Sequence, residues 1–189
     1  MKTEELEEKL EGGAETPNID FKSACSWNDL TFAKDILAMS NIQDGGYIII
    51  GVKELQNNSF EREGVNEIQK NSYKIDDMRD SMTKYADPHV NFNVYFPNDK
   101  TGKQYIVIRV NEFSELPVIC RKDSTDTKAG VIYYRNKNRR IESAPVSNSY
   151  DMRDIIKLAT VKMLQKETKF GFVVKPTAKK KLNDELKGL

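Results

Sequence analysis

The chain has 189 residues and a mass of 21.7 kDa, and 38% of its residues are hydrophobic. That is enough for one compact domain, or a domain with an appendage, and it excludes a large multi-domain machine. Lys and Arg total 30 against 29 Asp and Glu, a formal charge of +1, so no global field draws in a polyanion and any nucleic-acid face must be a local segregation of charge. No apolar run approaches the ~18 residues of a membrane span. The acidic, amphipathic stretch Met1 to Leu10 lacks the apolar core of a signal peptide, so a cytoplasmic location without membrane contact is expected.

In chain order, Thr3 to Leu10 reads as a short helix stopped by Gly12-Gly13, and Asn18 to Cys25 as a strand in which Ile19 and Phe21 alternate with Asp20 and Lys22. Asn28 or Asp29 caps a helix carrying Leu30, Ala33, Ile36, Leu37 and Ser40 at helical spacing and ending near Asn41. The turn Gln43-Asp44-Gly45-Gly46 follows, and then Tyr47 to Val52, a near-continuous apolar run of the kind covered on both faces. After a polar stretch from Glu54 to Asn71, the spacing of Ile75, Met78, Met82 and Tyr85 predicts a helix over 73–85, with Pro88 as its stop. Val90, Phe92, Val94 and Phe96 alternate as a half-exposed strand, joined by the turn 97–102 to a strand over 105–110 in an antiparallel hairpin. Short strands are expected at 117–121 and 130–135 around a polar loop, and Ser149 opens a last helix to about Glu167. The tail beyond it, with Lys179-Lys180-Lys181, is too short for an independent domain of ordinary size. The divisions expected are an N-terminal helix or extension at 1–13, a domain over 14–167 and a basic tail at 168–189. The fold class is α+β, or mixed α/β, around one mixed sheet flanked by helices.

Cys25, Cys120 and His89 are the whole soft-ligand inventory, too few for a Cys/His zinc site within one chain, so no zinc is predicted. They also leave no Ser-His-Asp or Cys-His catalysis unless His89 is the base; if the protein is an enzyme, carboxylates must carry it. Asp20 and Lys22 share one face of their strand, an arrangement that can hold a cation and orient water, or can be a plain surface ion pair. Glu54 closes the buried strand, where ligand sites of α/β sheets tend to lie. Glu15, five residues before Asp20, reaches it only if the chain bends at Pro17. In Tyr133 to Arg140, four cations, Arg135, Lys137, Arg139 and Arg140, stand beside two tyrosines. They can contact phosphates and stack on a base, or form a solvated hairpin end with core tyrosines. Asp44-Gly45-Gly46 lacks a Walker-type Gly-Lys-Ser or Gly-Lys-Thr element, and its glycines end a helix rather than open one, which argues against ATP binding.

The run Glu15…Asp20-Phe21-Lys22, then Ala38-Met39-Ser40-Asn41…Gly45-Gly46-Tyr47-Ile48-Ile49-Ile50-Gly51-Val52-Lys53-Glu54, resembles the Schlafen AlbA-like domain. Pro88, the 105–110 strand, Pro117, Ile132-Tyr133-Tyr134-Arg135, Ala144 and the terminal helix fit later landmarks of that pattern, so the resemblance covers roughly residues 11 to 160. It implies nucleic-acid binding. For the animal branch it implies metal-dependent endoribonuclease action through three carboxylates, here Glu15, Asp20 and Glu54, the last two exchanged between Asp and Glu. These would hold Mg²⁺ or Mn²⁺, with Lys22 positioning water or phosphate and Arg135, Lys137, Arg139 and Arg140 gripping the RNA backbone. The zinc-binding Cys/His cluster of the animal proteins has no counterpart, and their two-lobed clamp would require a homodimer of this single lobe. The expected function is therefore a metal-dependent endoribonuclease acting on structured RNA such as tRNA. The alternative is a non-catalytic DNA- or RNA-binding regulatory module, and the third reading a nucleotide-binding or structural dimer.

Overall fold

The computed structural model describes residues 1–12, 14–55, 59–136 and 141–171. Helix α1 (Thr3–Glu11) leads through a tight turn into β1 (Ile19–Lys22), and α2 (Asp29–Ser40) connects β1 to β2 (Gly46–Ile50). Asn28 begins α2 by accepting the Leu30 N–H at 3.0 Å, so the side chain satisfies one of the free amides of the first turn. Strand β2 lies parallel to β1, with Asp20 opposite Ile48 and Lys22 opposite Ile50.

After Gly51 come β3 (Val52–Glu54) and β4 (Phe60–Arg62), an antiparallel pair, and then α3 (Glu67–Ser72), α4 (Ile75–Thr83) and β5 (Ala86–Asp87). The expected helix over 73–85 is α4, shorter at both ends, and α3 is an additional helix that begins within the stretch expected to be polar. Tyr73 is buried and its hydroxyl donates to the Cys25 carbonyl at 3.0 Å, a tertiary anchor between the two helices. The hairpin appears as expected: β6 (Phe92–Tyr95) and β7 (Ile106–Val110) are antiparallel, and β7 pairs with β2. The result is a mixed four-stranded sheet in the order β1-β2-β7-β6. The remaining strands form ladders of two to four residues of their own. β8 (Ile119–Cys120) pairs with β5, and β9 (Tyr133–Asn136) pairs with β10 (Glu142–Pro145). Helix α5 (Ser149–Lys169) closes the described chain.

Because successive strand residues point to opposite faces, the apolar run of β2 serves two cores. Ile48 and Ile50 join Ile106, Ile108 and the α2 residues Phe32, Ile36 and Leu37 on one face. Ile49 joins Phe21, Val107 and Leu6 and Leu10 of α1 on the other. The turn between α2 and β2 has no room for a side chain at its two glycines. Gly45 sits at φ +62°, where an added Cβ would lie 2.1 Å from the Val110 carbonyl oxygen. Asn41, fully buried at the end of α2, spans the gap to the second half of the chain. Its amide donates to the carbonyls of Val118 and Tyr133, each at 2.9 Å, and its oxygen accepts the Val118 N–H at 2.7 Å. The β9–β10 ladder is thereby fixed against α2 and brought over β1.

Candidate functional site

Between β1, α2 and β9 lies a cluster of charges in which the carboxylates and the guanidinium are buried and Lys22 is part-exposed. Asp20 and Lys22 point from β1 toward α2 and β9, on the face opposite Phe21. Lys22 Nζ lies 2.8 Å from Asp20 Oδ2 and 2.9 Å from Asp35 Oδ2 of α2. From β9, Arg135 places Nη1 2.8 Å from Asp20 Oδ1. Asp20 is 3% exposed, Asp35 5% and Arg135 1%. The ion pair expected for Asp20 and Lys22 is present, but its carboxylate is buried rather than on the surface, and it belongs to a four-residue network.

The sequence bends as the distant placement of Glu15 requires. Thr16 and Ile19 exchange backbone hydrogen bonds of 3.1 and 3.0 Å around Pro17-Asn18, and this turn folds Glu15 back until its Oε1 accepts the Phe21 N–H at 3.0 Å. Arg135 Nη2 donates to the carbonyls of the same turn, Thr16 at 3.4 Å and Ile19 at 3.3 Å. One guanidinium therefore holds the turn, the strand and the buried acid together.

Burial and then the neighbouring Asp20 carboxylate raise the Glu15 carboxyl above its ordinary value, against the opposing Phe21 N–H, Arg135 and Lys22. Asp20 is also raised, by burial and then Asp35, against Lys22 and Arg135. For Lys22, burial works against the charge, but Asp35 and Asp20 outweigh it and hold the ammonium well above its usual range. The sign for stability follows. A carboxyl raised on folding contributes fully below its unfolded value, near 4.5 for Glu15, and that contribution is lost as pH rises through the folded value. Gln at this position keeps an acceptor for Phe21 and cannot ionise. Glu15→Gln should therefore melt close to the unsubstituted protein below pH 4.5 and progressively higher than it toward pH 7. Melting curves over that range check this, and a difference that shrinks or reverses with rising pH would refute it.

The other expected site residues fall elsewhere. Glu54 ends β3 on the exposed surface, and the carboxylate that meets Lys22 from α2 is Asp35. Asp35 was not among the residues singled out, although its position carried a signal: it shares a helix face with Phe32, Ile36 and Met39, all fully buried, so a charge in that phase must have a buried partner. Arg135, expected to grip a phosphate, has its guanidinium turned inward. Tyr133 and Tyr134, expected as a stacking face, are each 3% exposed and belong to the core, because the β9–β10 ladder packs on α2. Lys137, Arg139 and Arg140, together with Lys179 to Lys181, lie outside the described residues.

The arrangement does not fit a divalent cation. A carboxylate that ligates Mg²⁺ or Mn²⁺ must offer oxygen lone pairs to the ion. Here one Asp20 oxygen faces Arg135 and the other Lys22, and two fixed cations repel a third. Among the described residues no group of three or more His, Cys, Asp or Glu side chains is placed to hold a metal ion.

The model of the family described as Schlafen, AlbA_2 matches residues 15–143, the span from the folded-back turn to the β10 strand. The chain belongs to this family. Membership points to a nucleic-acid-related function. No curated protein matches the chain. Two solved structures are similar to it. The N-terminal domain of an ATP-dependent DNA helicase RecG-related protein from Nitrosomonas europaea is 17% identical with a TM-score of 0.50, over 79% of this chain and 97% of that one. The DIP2311 protein from Corynebacterium diphtheriae is 16% identical with a TM-score of 0.47, over 80% of this chain. The chain spans 28% of the length of the Corynebacterium protein. Within the Schlafen AlbA_2 frame, the Gly-Gly turn and Asn41 have structural roles, and strand β1 is the part whose charges are paired internally. Among the described residues no helix is long and apolar enough to cross a membrane.

Proposed function

We propose that this Schlafen AlbA_2 chain is a nucleic-acid-binding module that holds RNA or DNA without hydrolysing it. The observation that carries the reading is the engagement of Asp20 by Arg135 and Lys22, each at 2.8 Å. The acid at the centre of the expected carboxylate set is committed to holding the fold. The binding element is the connection between β9 and β10, whose sequence supplies Lys137, Arg139 and Arg140. Along the β9–β10 ladder a groove of about 360 Å³ is lined by Lys34 and Lys128, with Ser124, Thr125 and Ser143 as further hydrogen-bonding groups; Asp126 and Glu142 also border it. Such a site contacts backbone phosphate through cations and reads little sequence.

A metal-dependent endoribonuclease acting on structured RNA such as tRNA is the second reading, favoured by the return of Glu15 to the side of Asp20 through the Thr16–Ile19 turn. Incubating the full chain with total transfer RNA, and in parallel with duplex DNA, in Mg²⁺, Mn²⁺ or EDTA separates the two. The expected result is a salt-sensitive gel shift with intact RNA under every condition. Cleavage that needs Mg²⁺ or Mn²⁺ and stops in EDTA would overturn the non-catalytic reading. Absence of any shift at low salt would overturn binding itself.

A further inference from the structure

Helix α5 has 21 residues, a length of about 31 Å, and only one side of it is used by the fold. Ile155 and Asp151 are buried, Leu158 and Ala159 pack on the core, and Lys162 and Lys166 form ion pairs with Glu112 and Glu115. On the outer side Met152, Ile156, Met163 and Phe170 are 37%, 56%, 44% and 71% exposed. Single exposed apolar residues are ordinary on a protein surface. These four fall at intervals of four, seven and seven along the chain, which places them in one line on the helix, and that spacing is the seam of a helix pair.

We propose that this face is the contact between two copies of the chain, packed as an antiparallel α5 pair about a two-fold axis that crosses the seam between Ile156 and Met163. In that register Met152 of one protomer meets the partner's Phe170. The orientation follows from charge. Arg153 and Glu167 are both exposed, stand two heptads apart on the line flanking the seam, and neither has an ion-pair partner among the described residues. Antiparallel packing brings each Arg153 beside the partner's Glu167, whereas a parallel pair keeps them about 21 Å apart along the axis. A two-fold contact of this kind is self-complementary and closes at two copies. A single helix pair buries an area at the small end of specific interfaces, so the equilibrium belongs in the micromolar range.

Sedimentation of the full chain over roughly 1 to 300 μM tests it. The expected average mass rises with concentration from 21.7 kDa toward twice that value. Combined Ile156→Glu and Met163→Glu should hold the chain at the monomer mass throughout, with an unchanged melting curve because both positions are exposed. Arg153→Glu and Glu167→Arg should each weaken association by about threefold to tenfold, and the two together should restore it. A protein that stays monomeric over the whole range overturns the proposal, as does association indifferent to the double glutamate variant. Association lost with the glutamates but not restored by the paired charge reversal overturns the antiparallel register.

Discussion

Replacing Arg135 with Met should destabilise the fold by about 3–5 kcal/mol, the range expected when one partner of a buried ion pair is removed and the other stays behind. For a chain of this length that is a fall in melting temperature on the order of 6–20 °C. The reason is specific to the geometry. Asp20 would keep Lys22 at 2.8 Å, but Lys22 is shared with Asp35, so two buried carboxylates would face one ammonium. The Thr16 and Ile19 carbonyls would lose their donor as well, loosening the turn that carries Glu15. The ion pair itself is worth less than this loss suggests. The Arg135 Nε–H has no partner among the described residues, and burying two charges is expensive. Asp20→Leu combined with Arg135→Met should therefore recover most of the stability, with a loss smaller than the sum of the single substitutions by more than about 1 kcal/mol. Chemical unfolding of the three variants measures this. A loss below about 1 kcal/mol for Arg135→Met, or strict additivity, would mean that the network does not hold the fold.

That Arg135 was expected on the surface shows what a sequence hides. Its partner Asp20 lies 115 positions away, and a cation in a cluster of cations carries no local mark of burial. The parts that were legible are those whose causes are local. The Asn28 cap, the apolar spacing of α2, the Gly45-Gly46 turn and the two-faced run of β2 each follow from a few adjacent residues, and each is found in place. Helix α3 was not legible because none of its residues is buried, so no apolar spacing marks it within the polar stretch. The β10 strand, Glu-Ser-Ala-Pro, has no alternation to announce it and is a strand because Tyr133 to Asn136 lies beside it. Of the candidate site, the fold-back of Glu15 could be anticipated from Pro17. The entry of Asp35 could not be read from spacing along β1, since it comes from another element and was visible only as a carboxylate in the apolar phase of α2.

The cations between β9 and β10 should behave in the opposite way to Arg135. Changing Lys137, Arg139 and Arg140 together to Ala should leave the melting temperature nearly unchanged, because the ladder is anchored by the buried Tyr133, Tyr134 and Arg135 and by Asn41 on the Tyr133 carbonyl. Nucleic-acid affinity should fall sharply. Each phosphate contact releases condensed counterions, with a slope of log K on log salt of about 0.9 per contact for duplex DNA and 0.7 for single strands, so losing three contacts should reduce the slope by about 2 to 3 units. Extrapolated from 1 M salt, where that contribution vanishes, this is a loss on the order of a hundredfold or more near 0.1 M. Changing Lys34 and Lys128, which line the groove, should reduce affinity less, in the same direction on every sequence, since contacts to phosphate carry no base information. Titrations by fluorescence anisotropy at several salt concentrations resolve slope from intercept. A triple variant with an unchanged slope would remove the β9–β10 connection from the binding surface. One that loses affinity only because it melts at a lower temperature would give those cations the same structural part as Arg135.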